Sequence, residues 1–134
     1  MYDVIIIGKG PAGISAALYT VRSNLRTLII GKNDSNLLKA DKIDNYFGFA
    51  QTISGKELLR NGEMQVRRLG AEVLEDEVLS VEKDGFFKVV TGTASYSCKA
   101  VLLATGVPHK VIRIENLVKF EGKGVSYCTT CDGF

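Results

Sequence analysis

Cysteine is scarce in this chain: three residues among 134, at positions 98, 128 and 131, too few for the disulfide framework that staples small exported domains. Histidine is scarcer, so Cys98 and the single His109 are the only further nitrogen or sulfur ligands a zinc site could recruit beside Cys128 and Cys131, and they form no second pair. No hydrophobic run approaches the length of a bilayer span. The first apolar stretch covers only 4–7 and no basic segment precedes it, so an unexported protein is expected. An excess of one charge is lacking too: the net charge is +2, evenly spread, which argues against nucleic acid and against an anionic membrane surface as partners. Repeats and low-complexity tracts are absent. These absences lead to the expectation of a soluble, cytoplasmic protein that binds no metal. With 46% hydrophobic and 24% charged residues the composition is ordinary for a globular domain with a real core.

The start of the chain carries a dense pattern. Val4, Ile5, Ile6 and Ile7 form a β-branched run suited to a strand buried on both faces of a parallel sheet. It runs into Gly8, Lys9, Gly10, Pro11, Ala12, Gly13, a GxGxxG whose proline suits a first helical turn. Helical periodicity follows, with Ile14, Ala17, Leu18 and Val21 on one face, small Ser15 and Ala16 allowing close approach to a sheet, and Ser23 and Asn24 as the stop. Residues 26–30, RTLII, read as a second strand. In such a βαβ unit the first glycine permits a tight turn, the second lets backbone N–H groups approach a pyrophosphate, and the third lets helix and strand pack closely. A dinucleotide site is therefore predicted. One part is missing: the acid that would hold the ribose hydroxyls at the end of the second strand is replaced by Gly31 and Lys32, and Asp34 comes late. Backbone groups, or Lys32 near a phosphate, would have to serve instead.

Residues 37–49 read as a polar and aromatic loop, and 53–69 as a helix capped by Ser54, with Leu58, Leu59, Val66 and Leu69 as its apolar face and Gly62 as a weak point. Within the loop, Asn45 beside Tyr46 and Phe47 could set an amide next to a flat ligand; a turn with two aromatics pinned to the core is the equal alternative. Strand patterns follow at Val73, at 77–81 and at 86–91, with Asp84 and Gly85 as a hairpin turn. Residues 99–104, KAVLLA, look like a buried strand ending in Thr105 and Gly106. Residues 107–123 read as a linker with a short crossing strand.

The last seven residues, CTTCDGF, concentrate the chemistry. Two thiols three positions apart can close a disulfide within one turn, and the adjacent carboxylate can carry the proton that thiol exchange moves. Half of a zinc site and a pair of inert buried cysteines are the alternatives. The shortage of partner ligands weighs against the first, and the turn-forming Gly124, Thr129, Thr130 and Gly133 against the second. Cys98, at the start of an apolar run, reads as a small buried hydrophobe with no catalytic part.

With GKGPAG at 8–13, IDNYFG at 43–48, LLATG at 102–106 and KGVSYCTTCDGF at 123–134 in this order, the chain resembles the N-terminal part of the low-molecular-weight thioredoxin reductases over essentially its whole length. The resemblance implies an α/β fold: a Rossmann-like, three-layer FAD-binding domain with a small antiparallel β insert, followed by the start of a second domain carrying the CxxC. The division would be 1–106, a linker over 107–118, and a truncated redox domain from 119 to 134. It further implies that Cys131 is the thiol beside the flavin, that Cys128 attacks the disulfide of a thioredoxin-like protein, and that Asp132 donates protons to the reduced flavin and the thiols. Gly8, Gly10, Pro11, Ala12 and Gly13 would hold the FAD pyrophosphate, Asn45 the isoalloxazine region, and Thr105 and Gly106 the flavin side, with Gly31, Lys32 and Val78 completing the cofactor-binding set. The missing ribose acid is commonly missing in that family. Its members are homodimers that continue into an NADPH-binding fold, so this sequence is expected to be part of a longer protein. The stretch 31–48 lacks the GGQL-like sequence of NADPH-dependent members and is closer to ferredoxin-dependent variants, which leaves NADPH and ferredoxin both open as electron donor.

Overall fold

The computed structural model describes residues 1–107, 113–121 and 123–125. Strand β1 (Tyr2–Ile7) leads into helix α1 (Pro11–Arg22) and strand β2 (Thr27–Gly31); a 3-10 turn (Asn36–Lys39) precedes helix α2 (Gly55–Arg68) and strand β3 (Glu72–Glu75). Strands β4 (Val78–Asp84), β5 (Phe86–Thr91) and β6 (Ser95–Leu103) follow, and a second 3-10 turn spans Leu117–Phe120. All six strands join one sheet in the order β3-β2-β1-β6-β5-β4.

That sheet has two parts hinged on β6. Its later residues run parallel to β1, which runs parallel to β2, and β2 to β3; its earlier residues run antiparallel to β5, which turns at Gly85 (φ 70°) into antiparallel β4. Cys98 is the shared rung, opposite Tyr2 on one side and Phe87 on the other. Alternation along β1 then sorts the core. Ile6 and Ile29 meet Ile14, Ala17 and Val66 of the helices on one face, whereas Ile5, Ile7, Leu28 and Ile30 meet Cys98 and Val89, with Phe87 and Val78 against them, on the other. Helices, parallel sheet and antiparallel ribbon are therefore three layers, which is why β1 and β2 need apolar residues at consecutive positions.

Several expectations need correction. Helix α2 begins at Gly55 and not at 53, because Ile53 is drawn into an antiparallel bridge with Ile43 (N···O 2.9 and 3.2 Å); Ser54 is the cap, its Oγ accepting from the Glu57 N–H at 3.2 Å. The supposed loop 37–49 overlaps the first 3-10 turn (Asn36–Lys39), capped by Ser35. Ser15 is exposed, and Gly13 and Ala17 make the close approach to the sheet instead. Leu69 caps the end of α2 and is partly exposed, so its apolar face is carried by Leu58, Leu59 and Val66. Arg67, in the last turn of α2, ties that helix to β3 by donating to the Val73 carbonyl at 3.0 Å. Tyr46 and Phe47 are not pinned to the core: Phe47 is fully exposed and Tyr46 half so, its ring 6.0 Å from that of Phe49. The stretch 99–104 is no buried strand either. Lys99 and Ala100 are exposed and Leu103 is 70% exposed: Leu102 and Ala104 pack toward the helices, whereas Leu103, register partner of Ile7, is on the opposite face, at the end of β6 beyond its pairing with β5. Of the expected linker 107–123, residues 108–112 and 122 lie outside the described residues; the described ones show a 3-10 turn, and Glu121 bridges to Val125 just beyond.

No helix among the described residues is long and apolar enough to cross a membrane.

Candidate functional site

The strand order reverses between β1 and β6, and the turn after β1 lies at the carboxyl ends of both, where open α/β sheets form their ligand crevice. Gly8 anchors the turn by donating to the Ile30 carbonyl at 2.7 Å, in a left-handed conformation (φ 113°) that strongly favours glycine. A Cβ there would land on the Ala104 carbonyl and lie 3.2 Å from the Thr105 nitrogen. A Cβ at Gly13 would land on the Gly8 carbonyl, and one at Gly31 would lie 2.7 Å from the Lys9 nitrogen. The turn is thus wedged between the ends of β2 and β6 with no room for a side chain at position 8, 13 or 31. Gly31 lacks an acid for a steric reason.

Gly10 is the N-cap of α1 and supplies no side-chain cap; Pro11 follows, and the Ile14 N–H donates to the Gly10 carbonyl at 3.0 Å. The first-turn amides of a helix have no intrahelical acceptor, and this turn carries no acidic side chain, so exposed Ala12 and buried Gly13 present N–H groups suited to an anion. The Ser35 hydroxyl lies 3.3 Å from where a Gly10 Cβ would stand. Asn36 Nδ2 donates to the Val107 carbonyl at 3.0 Å, tying the 3-10 turn to the chain that leaves β6 through Thr105 and Gly106. Gly106 adopts φ 70° with nothing within 4 Å of a would-be Cβ, so its backbone conformation is what calls for glycine. Glycines 8, 10, 13 and 31 with the free helix end form a cradle that fits a dinucleotide pyrophosphate.

Sequence reasoning missed Lys9. Its side chain is 7% exposed and lies between Glu63 of α2 (3.7 Å) and Glu75 of β3 (3.8 Å). Lys32 pairs with Glu77 at 2.7 Å. Beside these groups a cavity of about 470 Å³ is lined by Lys9, Lys32, Ser35, Lys56 and Arg60, which gives this end of the sheet a basic wall. A long cation inside a GxGxxG was the available signal, since it cannot be buried without acidic partners.

Other expected site residues lie elsewhere. Val78 opens β4 and packs against the core face formed by Ile5, Ile7 and Leu28. Asn45 sits in the exposed loop above the Ile43–Ile53 bridge, whose base packs on Leu37 and Leu58 of the 3-10 turn and α2; the Thr52 hydroxyl donates to Asp44 across that loop. Cys98 is fully buried, and burial raises its thiol pKa above the ordinary value. Asp3 and Asp76 are held low, Asp3 by the Lys99 ammonium and the Arg26 N–H, Asp76 by the Thr93 and Thr91 hydroxyls and the Glu77 N–H. Burial and its hydrogen bond to Glu72 raise Tyr2. His109, Cys128, Cys131 and Asp132 lie outside the described residues.

Comparison with known proteins agrees with this architecture. Residues 2–134 match the family model described as pyridine nucleotide-disulphide oxidoreductase, and the chain belongs to that family. Over 98% of its length it is 45% identical to a thioredoxin reductase of Treponema pallidum, of which it covers 44%. Among solved structures, the thioredoxin reductase of Streptococcus pyogenes superposes with a TM-score of 0.90 at 38% identity, over 99% of this chain and 44% of that one. An atypical thioredoxin reductase from Desulfovibrio vulgaris Hildenborough superposes with a TM-score of 0.76 at 43% identity, over 100% of this chain and 46% of that one. The chain spans less than half the length of these relatives.

Proposed function

We propose that this chain is the flavin-binding part of a thioredoxin-disulfide reductase, with FAD in the glycine cradle and the Cys128–Cys131 pair as its redox dithiol. The observation that carries the reading is the wedged turn at the switch point, built by Gly8, Gly13 and Gly31, in a chain whose relatives include thioredoxin reductases. The first-turn amides of α1 receive the pyrophosphate, Thr105 and Gly106 line the flavin side, and Asn45 approaches the isoalloxazine from its loop. Bound FAD, once reduced by the electron donor, would supply the two electrons that return the Cys128–Cys131 disulfide to the dithiol, with two protons taken up. Cys128 then attacks the disulfide of a thioredoxin-like protein and forms a mixed disulfide; Cys131 attacks Cys128 Sγ, which releases the reduced substrate and closes the disulfide again. Asp132 moves the protons. The division into 1–106, a linker over 107–118 and a redox segment from 119 belongs to the same reading, as do a homodimer and a cytoplasmic setting.

A pyridine nucleotide is named in the family description, which favours NADPH over ferredoxin as electron donor. An absorption spectrum followed by dithionite titration tests the core of the proposal. Flavin bands and uptake of four electrons, two for flavin and two for a coupled disulfide, are expected; a colourless protein that takes up no FAD would overturn it. Cys128→Ser is expected to leave flavin reduction by dithionite intact and to abolish thioredoxin reduction by the whole protein. Reduction by NADPH or by reduced ferredoxin then identifies the donor.

A further inference from the structure

The end of β2 cannot carry the acid that a dinucleotide's ribose usually meets. Any side chain at Gly31 would collide with the Lys9 backbone, and the next residue, Lys32, is a cation already paired with Glu77. We propose that Glu75, at the end of the neighbouring strand β3, is the carboxylate that receives the adenosine ribose hydroxyls; this rests on the flavin-binding reading above.

Three observations lead to Glu75. Gly31 and Glu75 are register partners in the parallel β2–β3 pair, so their Cα–Cβ bonds project to the same face of the sheet. That face is the one over which the Gly8–Lys9 turn folds, since the Gly31 Cβ direction points at Lys9. The Glu75 carboxylate lies 3.8 Å from Lys9 Nζ and its side chain is 62% exposed, so it is tethered to the glycine turn and still open to a ligand.

The neighbouring carboxylates are more committed. Glu63 accepts from Arg67 Nε and Nη2 at 3.0 and 2.8 Å as well as facing Lys9, and its side chain is 30% exposed. Glu77 is 2.7 Å from Lys32 Nζ. Among the described residues, Glu75 has only the looser contact to Lys9. A carboxylate has two oxygens that accept only, which matches the two donors of a vicinal diol. Lys9, buried between α2 and β3, fixes the distance between that carboxylate and the turn that holds the pyrophosphate. Its place inside the GxGxxG then has a reason: it carries an acid from the third strand to where the second strand has none.

The test compares three ligands on the flavin-free chain by quenching of flavin fluorescence: FAD, FMN, and FAD whose adenosine ribose lacks the 2′-hydroxyl. The unaltered chain is expected to bind FAD about tenfold more tightly than the deoxy analogue, the effect of one charge-assisted hydrogen bond. Glu75→Ala is expected to abolish that preference while FMN affinity stays unchanged, with a lower melting temperature because buried Lys9 keeps only Glu63, and Glu77→Ala is expected to keep the preference. Retention of the preference by Glu75→Ala, or an equal loss of FAD and FMN, overturns the assignment. If the unaltered chain takes up neither flavin, the flavin-binding reading itself fails, a result distinct from binding without discrimination.

Discussion

Gly31 and Lys9 touch through backbone alone: the end of β2 lies so close to the turn after β1 that a Cβ on Gly31 would stand 2.7 Å from the Lys9 nitrogen. The close approach locks β1, its turn and β2 into one rigid support for α1. Gly31→Ala is expected to lower stability by about 1–3 kcal/mol through overpacking and to weaken flavin binding. Thermal melting and flavin titration check it, and an unchanged melt would show that the turn can retreat.

Gly13 and Gly62 are both helical glycines with opposite expected responses. A Cβ at Gly13 would land on the Gly8 carbonyl, a rigid backbone atom, so Gly13→Ala is expected to cost at least about 2 kcal/mol, toward the upper end of overpacking. A Cβ at Gly62 meets only the Ile14 Cγ2 methyl at 3.0 Å, which can yield, and alanine gains about 1 kcal/mol of helix propensity there. Gly62→Ala is therefore expected to melt within a few degrees of the parent.

Cys98 sits where the parallel and antiparallel parts of the sheet join, fully buried, with its pKa raised by burial. The raised value favours the thiol, so its stabilising contribution holds below the ordinary thiol pKa and is lost as pH climbs through the raised one. Alkylation of the reduced, folded protein at pH 8 is expected to spare Cys98, and in denaturant all three cysteines should react. Rapid labelling of Cys98 in the native state would contradict its placement.

Acid should loosen the two ends of the β-ribbon before the glycine turn. Asp76 accepts from Thr93 Oγ1 at 2.6 Å and Glu77 N at 2.7 Å, and Asp3 accepts from Lys99 Nζ at 2.7 Å and Arg26 N at 2.9 Å. Both pKa values are lowered by these bonds, so the stability they contribute is present above the ordinary carboxylate pKa and is lost as pH falls below about 4 toward the lowered values. Urea midpoints at pH 7 and pH 3 should differ less for Asp76→Asn than for the parent.

Leu103 is 70% and Val107 77% exposed at the carboxyl end of β6, and Phe47 is fully exposed on its loop. Apolar area of this kind drives association. Sedimentation of the isolated chain should show dimers or larger species at micromolar concentration; a monodisperse monomer with a cooperative melt would refute this.

How far the sequence could be read depended on the range of the interactions. Strand β1, the GxGxxG turn, helix α1 and strand β2 were legible nearly residue by residue, because β-branched runs, a proline at the first helical position and a stop at Ser23 and Asn24 are local signals. The limits of α2 and the exposure of β6 were not. Ile53 leaves the helix for a bridge to Ile43, and Leu103 stays uncovered because β6 outruns its pairing with β5 on the face away from the helices. Both depend on how separate segments pack, which no local residue pattern states.

The same division holds for the site. Residue order alone determined that this is an α/β chain with a GxGxxG turn between its first strand and first helix, since glycine, proline and small residues act through backbone geometry that each carries with it. That Gly31 must lack a side chain, that Lys9 is buried between α2 and β3, and that Glu75 stands beside the gap were decided only by the tertiary structure. Steric exclusion and ion pairing act between groups more than twenty residues apart, and their distances exist only once the sheet has brought β1, β2 and β3 side by side.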